Sequence, residues 1–180
     1  DEYLDPQLVA RTQTQIDENA NKVQFYEDKI GATDQQIGTL QEQLTLKLRS
    51  LENKRTQIDR KIAAKKVELD AARVELKQGA DQLERAKIML EKEAISRFDY
   101  ERRNASYVKA MSALTDKENE LENFRQDLIL NTIEESNTRQ EYAEKIAKTR
   151  SDRFTISSNV AETREKIAVL SNKKQSIERR

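Results

Sequence analysis

The chain has 180 residues, 37% charged, 36% hydrophobic and only 5% aromatic, with 33 Lys and Arg balancing 33 Asp and Glu. That composition excludes an ordinary globular core, but a coiled-coil seam needs only two apolar positions in seven. Zero net charge with interspersed signs gives no electrostatic reason to bind nucleic acid or an anionic membrane. No apolar run approaches the ~18–20 residues of a membrane span, so a water-soluble segment is expected.

Asp1 is not an initiator Met, and the chain is expected to be an excised or processed segment, with any signal or anchor outside it. Asp5-Pro6 reads as a helix start, with Asp5 as cap and Pro6 at the first helical position. One apolar series then recurs every seven residues: Val9, Ile16, Val23, Ile30, Ile37, Leu44, Leu51 and Ile58, fading through Lys65, Ala72, Gly79 and Ala86. A companion series four residues later strengthens as the first fades, from Leu48 through Ile62, Leu69, Leu76 and Leu83 to Leu90. Two such series are the stripe of a coiled coil, with one register from Val9 to Leu90. Gly31-Ala32-Thr33-Asp34 is the weak point, where a kink or short break is expected rather than a reversal.

The stretch from Glu84 to Tyr100 organises the rest. Ser96 and Asp99 have the spacing of a capping box, and Ile95 and Tyr100 occupy the positions of a hydrophobic staple. A second heptad arm follows: Tyr100, Tyr107, Leu114, Leu121, Leu128, Glu135 and Tyr142, continuing to Ile177. Its companion row reads Asn104, Met111, Glu118, Arg125, Thr132 and Arg139, then Ile146 and onward to Lys174. If the chain folds back about residue 95, facing residue numbers add to about 190. Leu83 then meets Tyr107, Leu69 meets Leu121 and Arg55 meets Glu135, an ion pair that would fix register. Lys65 opposite Arg125 and Ala72 opposite Glu118 fit badly.

The expected fold is therefore all-α: a long antiparallel two-stranded coiled-coil hairpin. Its first arm is 1–92, its tip turn 93–96 and its second arm 97–180.

Catalytic chemistry is not expected. With no His and no Cys there is no Ser-His or Cys-His arrangement and no zinc site built on them. The three Gly are isolated, so no phosphate loop exists. Glu134-Glu135 lacks a cleft to perturb it, and no metal or cofactor is expected. Asn104-Ala105-Ser106 fits a glycosylation sequon, but its helical context makes it a chance match. At the tip, Arg85, Met89 and Ser96, with apolar Ala94 and Ile95 at the extremity, suit a docking contact between helix ends. The plain alternative is that they only cap helices and cover the seam.

The run Arg85-x3-Met89-x6-Ser96 resembles the Arg-x3-Leu-x6-Ser tip motif of bacterial periplasmic adaptor proteins, the membrane fusion proteins. Residues 94–101 are similar to the start of that family's descending helix, and the stretch through Leu114 is similar to the hemolysin D (HlyD) branch of type I secretion. Met89 stands where the family has Leu. The resemblance is strongest over about residues 83–128 and covers no lipoyl or β-barrel domain. It implies a periplasmic location in an inner-membrane-anchored protein, docking through Arg85, Met89 and Ser96 to a TolC-type outer-membrane channel. An inner-membrane ABC transporter and neighbouring hairpins would be the other partners. The rival reading is a parallel dimeric rod, a scaffold or cytoskeletal spacer.

Overall fold

A computed structural model describes residues 6–180. The cap expected at Asp5 lies outside the described residues. Two long helices, α1 (Pro6–Glu91) and α2 (Arg97–Glu178), pack against each other as an antiparallel helical hairpin. Pro6 opens α1, where its missing N–H removes no helical bond.

No break occurs at Gly31–Asp34; α1 runs straight through. The Thr33 hydroxyl donates to the Lys29 carbonyl at 2.8 Å, the bond of a helix-interior threonine rather than a cap. Ile30, Thr33 and Ile37 stay half-buried in the seam, and one exposed Gly costs only about 1 kcal/mol. Packing on both sides outweighs it.

The chain divides into two compact units, one of residues up to Lys47 with Thr138–Arg180, the other Leu48–Asn137. In the second unit Leu51, Ile58, Leu69, Ala72 and Ala86 of α1 and Leu121 of α2 form the buried seam. Its register differs from the expected one. A Cβ on Gly79 would lie 3.8 Å from both Cα and Cδ2 of Tyr107. Lys65 pairs with Glu120, and Lys117 with Glu68 at 3.0 Å. Facing numbers therefore add to about 186, not 190, one helical turn away.

Rotation accompanies this shift. The companion row of α2 that reaches the seam is Arg103, Ala110, Lys117, Phe124 and Asn131; Asn104, Met111, Glu118, Arg125 and Thr132 are exposed. Volume explains the outcome. Pairing Leu83 with Tyr107 and Leu90 with Tyr100 would set large against large. The observed register places Gly79, Ala86 and Ala72 in the layers of Tyr107, Tyr100 and Leu114, so bulky and small side chains interdigitate.

The polar layers follow the same register. Arg55 is exposed, so the seam ion pair expected with Glu135 is replaced by Asn131, which is 2% exposed and donates to the Leu51 carbonyl at 3.2 Å. Asn131 Oδ1 has no protein partner. Lys65 does not face Arg125; it reaches Glu120 and, at 2.7 Å, Glu68. These hydrogen bonds raise the Lys65 pKa. Bonds from Lys65 hold the carboxyls of Glu120 and Glu68 below the usual range, Lys117 adding to the effect at Glu68. The four residues cross-link the helices reciprocally, each lysine reaching a glutamate on the other helix.

In the first unit Thr12, Tyr142, Ile146, Thr149, Val160 and Thr163 are buried. The threonine hydroxyls bond carbonyls one turn back, to Leu8, Lys145 and Asn159, so none is left unsatisfied. Arg153 binds Asp34 at 2.6 Å, Arg164 binds Glu27, and Lys174 donates to Gln13 at 2.7 Å. Lys47 and Lys145 lie over the Tyr142 ring at 5.2 and 5.1 Å from its centroid.

The single α1 register read from the sequence also needs correction. Up to Leu40 the companion row follows the main row by three residues (Thr12, Asn19, Tyr26, Thr33, Leu40), and from Leu48 by four. Leu40, Leu44 and Leu48 thus take two successive steps of four. Thr138, Tyr142 and Ile146 do the same in α2. Each is a stutter, which locally unwinds a coiled coil.

Candidate functional site at the helical turn

Two cap motifs build the turn. At the end of α1, the Ala94 amide donates to the Met89 carbonyl at 2.8 Å and the Glu93 amide to the Leu90 carbonyl at 3.0 Å. This is a Schellman motif, and Glu93 takes the left-handed conformation at its turning position, with φ 55°. Met89 and Ala94 occupy the two positions that the motif commonly joins by an apolar contact. At the start of α2, Ser96 Oγ accepts the Asp99 amide at 3.1 Å, and the Ser96 carbonyl accepts the Tyr100 amide at 3.2 Å. Ser96 is therefore the N-cap, and Ile95 and Tyr100 are half-buried at the staple positions.

The candidate docking residues sit on this turn and the last two turns of α1. Arg85 is exposed on the same face as Met89, four residues on. Met89 is 37% exposed. Ala94 and Ser96 are exposed; Ile95 is half-buried. Ser96 Oγ is already committed to its cap, so any contact it makes with a partner adds to that role.

Two apolar side chains extend the patch beyond the sequence reading. Phe98 is 72% exposed in the first turn of α2, and Ile88 is exposed one residue before Met89. An aromatic in a chain so poor in aromatics, placed off both seam rows, was the available signal. Phe98 also opens an outward row at seven-residue spacing: Phe98, Ala105, Ser112, Asn119, Gln126 and Ile133. All six are exposed and none is charged.

The turn sets exposed apolar Ile88, Met89, Ala94 and Phe98 among exposed charges of both signs, Arg85, Lys92, Glu93 and Arg97. Among the described residues no cluster of His, Cys, Asp and Glu could hold a metal ion, and no helix is long and apolar enough to cross a membrane. In comparisons with protein families, characterised proteins and solved structures, the chain matches none.

Proposed function

We propose that this chain is the α-helical hairpin of an HlyD-like periplasmic adaptor, an interaction module that bridges an inner-membrane ABC transporter and a TolC-type outer-membrane channel for protein export. The observation that carries the reading is the turn. Arg85, Met89 and Ser96, in the spacing of the adaptor tip motif, lie with Ala94 and Ile95 on one capped helix reversal with exposed apolar side chains. The role is mechanical: apolar Met89, Ala94 and Ile95 meet the end of the channel's helices, and Arg85 supplies a charge-assisted hydrogen bond to a carbonyl or carboxylate there. The outward row of α2 carries no charge of its own and so favours side-by-side packing of hairpins, with the charges that flank it, Arg102, Lys109 and Glu122 among them, kept at the rim.

The test is docking in cells. Arg85→Glu and Ser96→Glu should each reduce secretion and cross-linking of the tip to the channel, with helicity by circular dichroism retained. Undiminished cross-linking in both variants overturns the assignment.

A further inference from the structure

The first unit, up to Lys47 with Thr138–Arg180, carries two features that its own packing leaves unused. Gly31 and Gly38 stand seven residues apart on one exposed row of α1, and a Cβ at either would have nothing within 4 Å. Each costs about 1 kcal/mol against alanine in a helix, and no close approach within the chain calls for it. Phe154, at 74% exposed, is the barest large apolar side chain among the described residues. It belongs to a long outward stripe. From Ala147 to Gln175, α2 steps alternately by four and three residues through nine exposed side chains, of which only Glu165 is charged. Such steps are the spacing of a coiled-coil seam. One row of this stripe is Ala147, Phe154, Ala161 and Ala168, a single aromatic knob among small residues.

The hole that fits this knob lies on α1 at the same level. In this unit the Arg153–Asp34 and Lys174–Gln13 contacts make facing numbers add to about 187, so Phe154 is level with about residue 33. Gly31, Asp34, Gln35 and Gly38 frame that level, the four positions of a knob's hole, and a glycine at each end leaves room for a ring. Knob and hole face outward from different helices, so they meet only between copies. Charge agrees with this. Beside its stripe α2 exposes Lys148 and Arg150, level within about a turn of exposed Glu42 on α1. Farther along it exposes Lys166 and Lys173, level in the same way with Asp17 and Glu18.

We propose that a second copy of this chain covers the stripe, standing in the same direction and at the same level, with Phe154 of one copy seated between Gly31 and Gly38 of the other. The small Ala, Ser and Gly side chains let the two helices approach closely, and the opposite charges lie along the rim. This contact rests on the neighbouring-hairpin part of the proposed function, which it deepens by naming the faces, and not on what the tip binds.

The chain has no Cys, so disulfides between copies report the contact directly. Chains carrying Gln35→Cys mixed with chains carrying Ser151→Cys should oxidise mainly to the 35–151 product rather than to 35–35 or 151–151. Thr14→Cys mixed with Asn172→Cys should do likewise. A neighbour running the opposite way brings at most one of these two pairs together. The mismatched mixture, Thr14→Cys with Ser151→Cys, should show no preference. Gly31→Gln with Gly38→Gln fills the hole while favouring the helix, so Tm should rise although the 35–151 rate falls about tenfold, the worth of a knob of about 1.4 kcal/mol. Phe154→Ser should lower that rate by a similar factor. No preference for the matched pairs, or a rate unchanged in both the filled-hole and the knobless variants, overturns the contact. Tip cross-linking in cells reads the docking assignment separately, because Arg85→Glu should leave both matched disulfides intact.

Discussion

Gly79→Ala tests the packing register with a single methyl group. Alanine is favoured over glycine in a helix interior by about 1 kcal/mol. The added Cβ would meet Tyr107 at 3.8 Å, an ordinary van der Waals contact, so no steric cost opposes the gain. Covering a methyl against the ring adds up to about 0.8 kcal/mol, and Gly79 is already half-buried. The net expectation is a stabilisation of roughly 1–1.5 kcal/mol, seen as a Tm rise of a few degrees in thermal circular dichroism. Gly31→Ala and Gly38→Ala, whose added methyl would have nothing within 4 Å, should gain only the propensity term of about 1 kcal/mol. Gly79→Leu drives extra methylenes into the Tyr107 backbone and should lose about 1–3 kcal/mol relative to Gly79→Ala. A destabilised Gly79→Ala, or a Gly79→Leu as stable as the alanine variant, is incompatible with this register.

The remaining expectations concern the turn and the charge network. Glu93→Gly relieves a left-handed non-glycine residue and should raise the urea midpoint by an amount equivalent to about 0.5–1 kcal/mol, the gain being trimmed by glycine's unfolded-state entropy. Ser96→Ala removes the oxygen that accepts the Asp99 amide and should cost about 1 kcal/mol in the same assay. Glu68 and Glu120 have folded-state pKa values below their unfolded ones, so their stabilising contribution is present above about pH 4.5 and fades as pH falls through the depressed values. Glu68→Gln with Glu120→Gln should therefore flatten the acid limb of Tm against pH below about 4.5 and, because both carboxylates raise the Lys65 pKa, also flatten the loss of stability above about pH 10.5, leaving the neutral range unchanged. An acid limb as steep as the wild type's would contradict that role.

Much of the fold was legible because heptad spacing is a direct geometric statement. The Val9–Ile58 row and the Tyr100–Leu128 row both lie in the seam. The Ser96 cap was equally readable, since its partner amide lies three residues on. Register was harder. Apolar type does not distinguish a layer of two large residues from one of large against small; the seating of Tyr107 on Gly79 and the Lys65–Glu120 and Lys117–Glu68 pairs decide it. The stutters escaped notice because Thr12, Asn19 and Thr33 are polar, so their burial leaves no hydropathy signal. Glu93 was hidden for a similar reason: a Schellman turn is usually announced by glycine, and none stands there.

The compact reversal at residues 92–96 also bears on how the chain finds its fold. Pairing beside the turn closes loops of a few residues, whereas Lys117–Glu68 spans 49, Arg153–Asp34 spans 119 and Lys174–Gln13 spans 161. Each further pairing becomes inexpensive in loop entropy only once its inner neighbour has formed. Folding is therefore expected to nucleate at the capped turn and zip toward the chain ends. Ser96→Ala should slow refolding in proportion to its stability loss, while a seam substitution at Ile16 should act almost wholly on unfolding. Stopped-flow kinetics showing the opposite partition would refute that order.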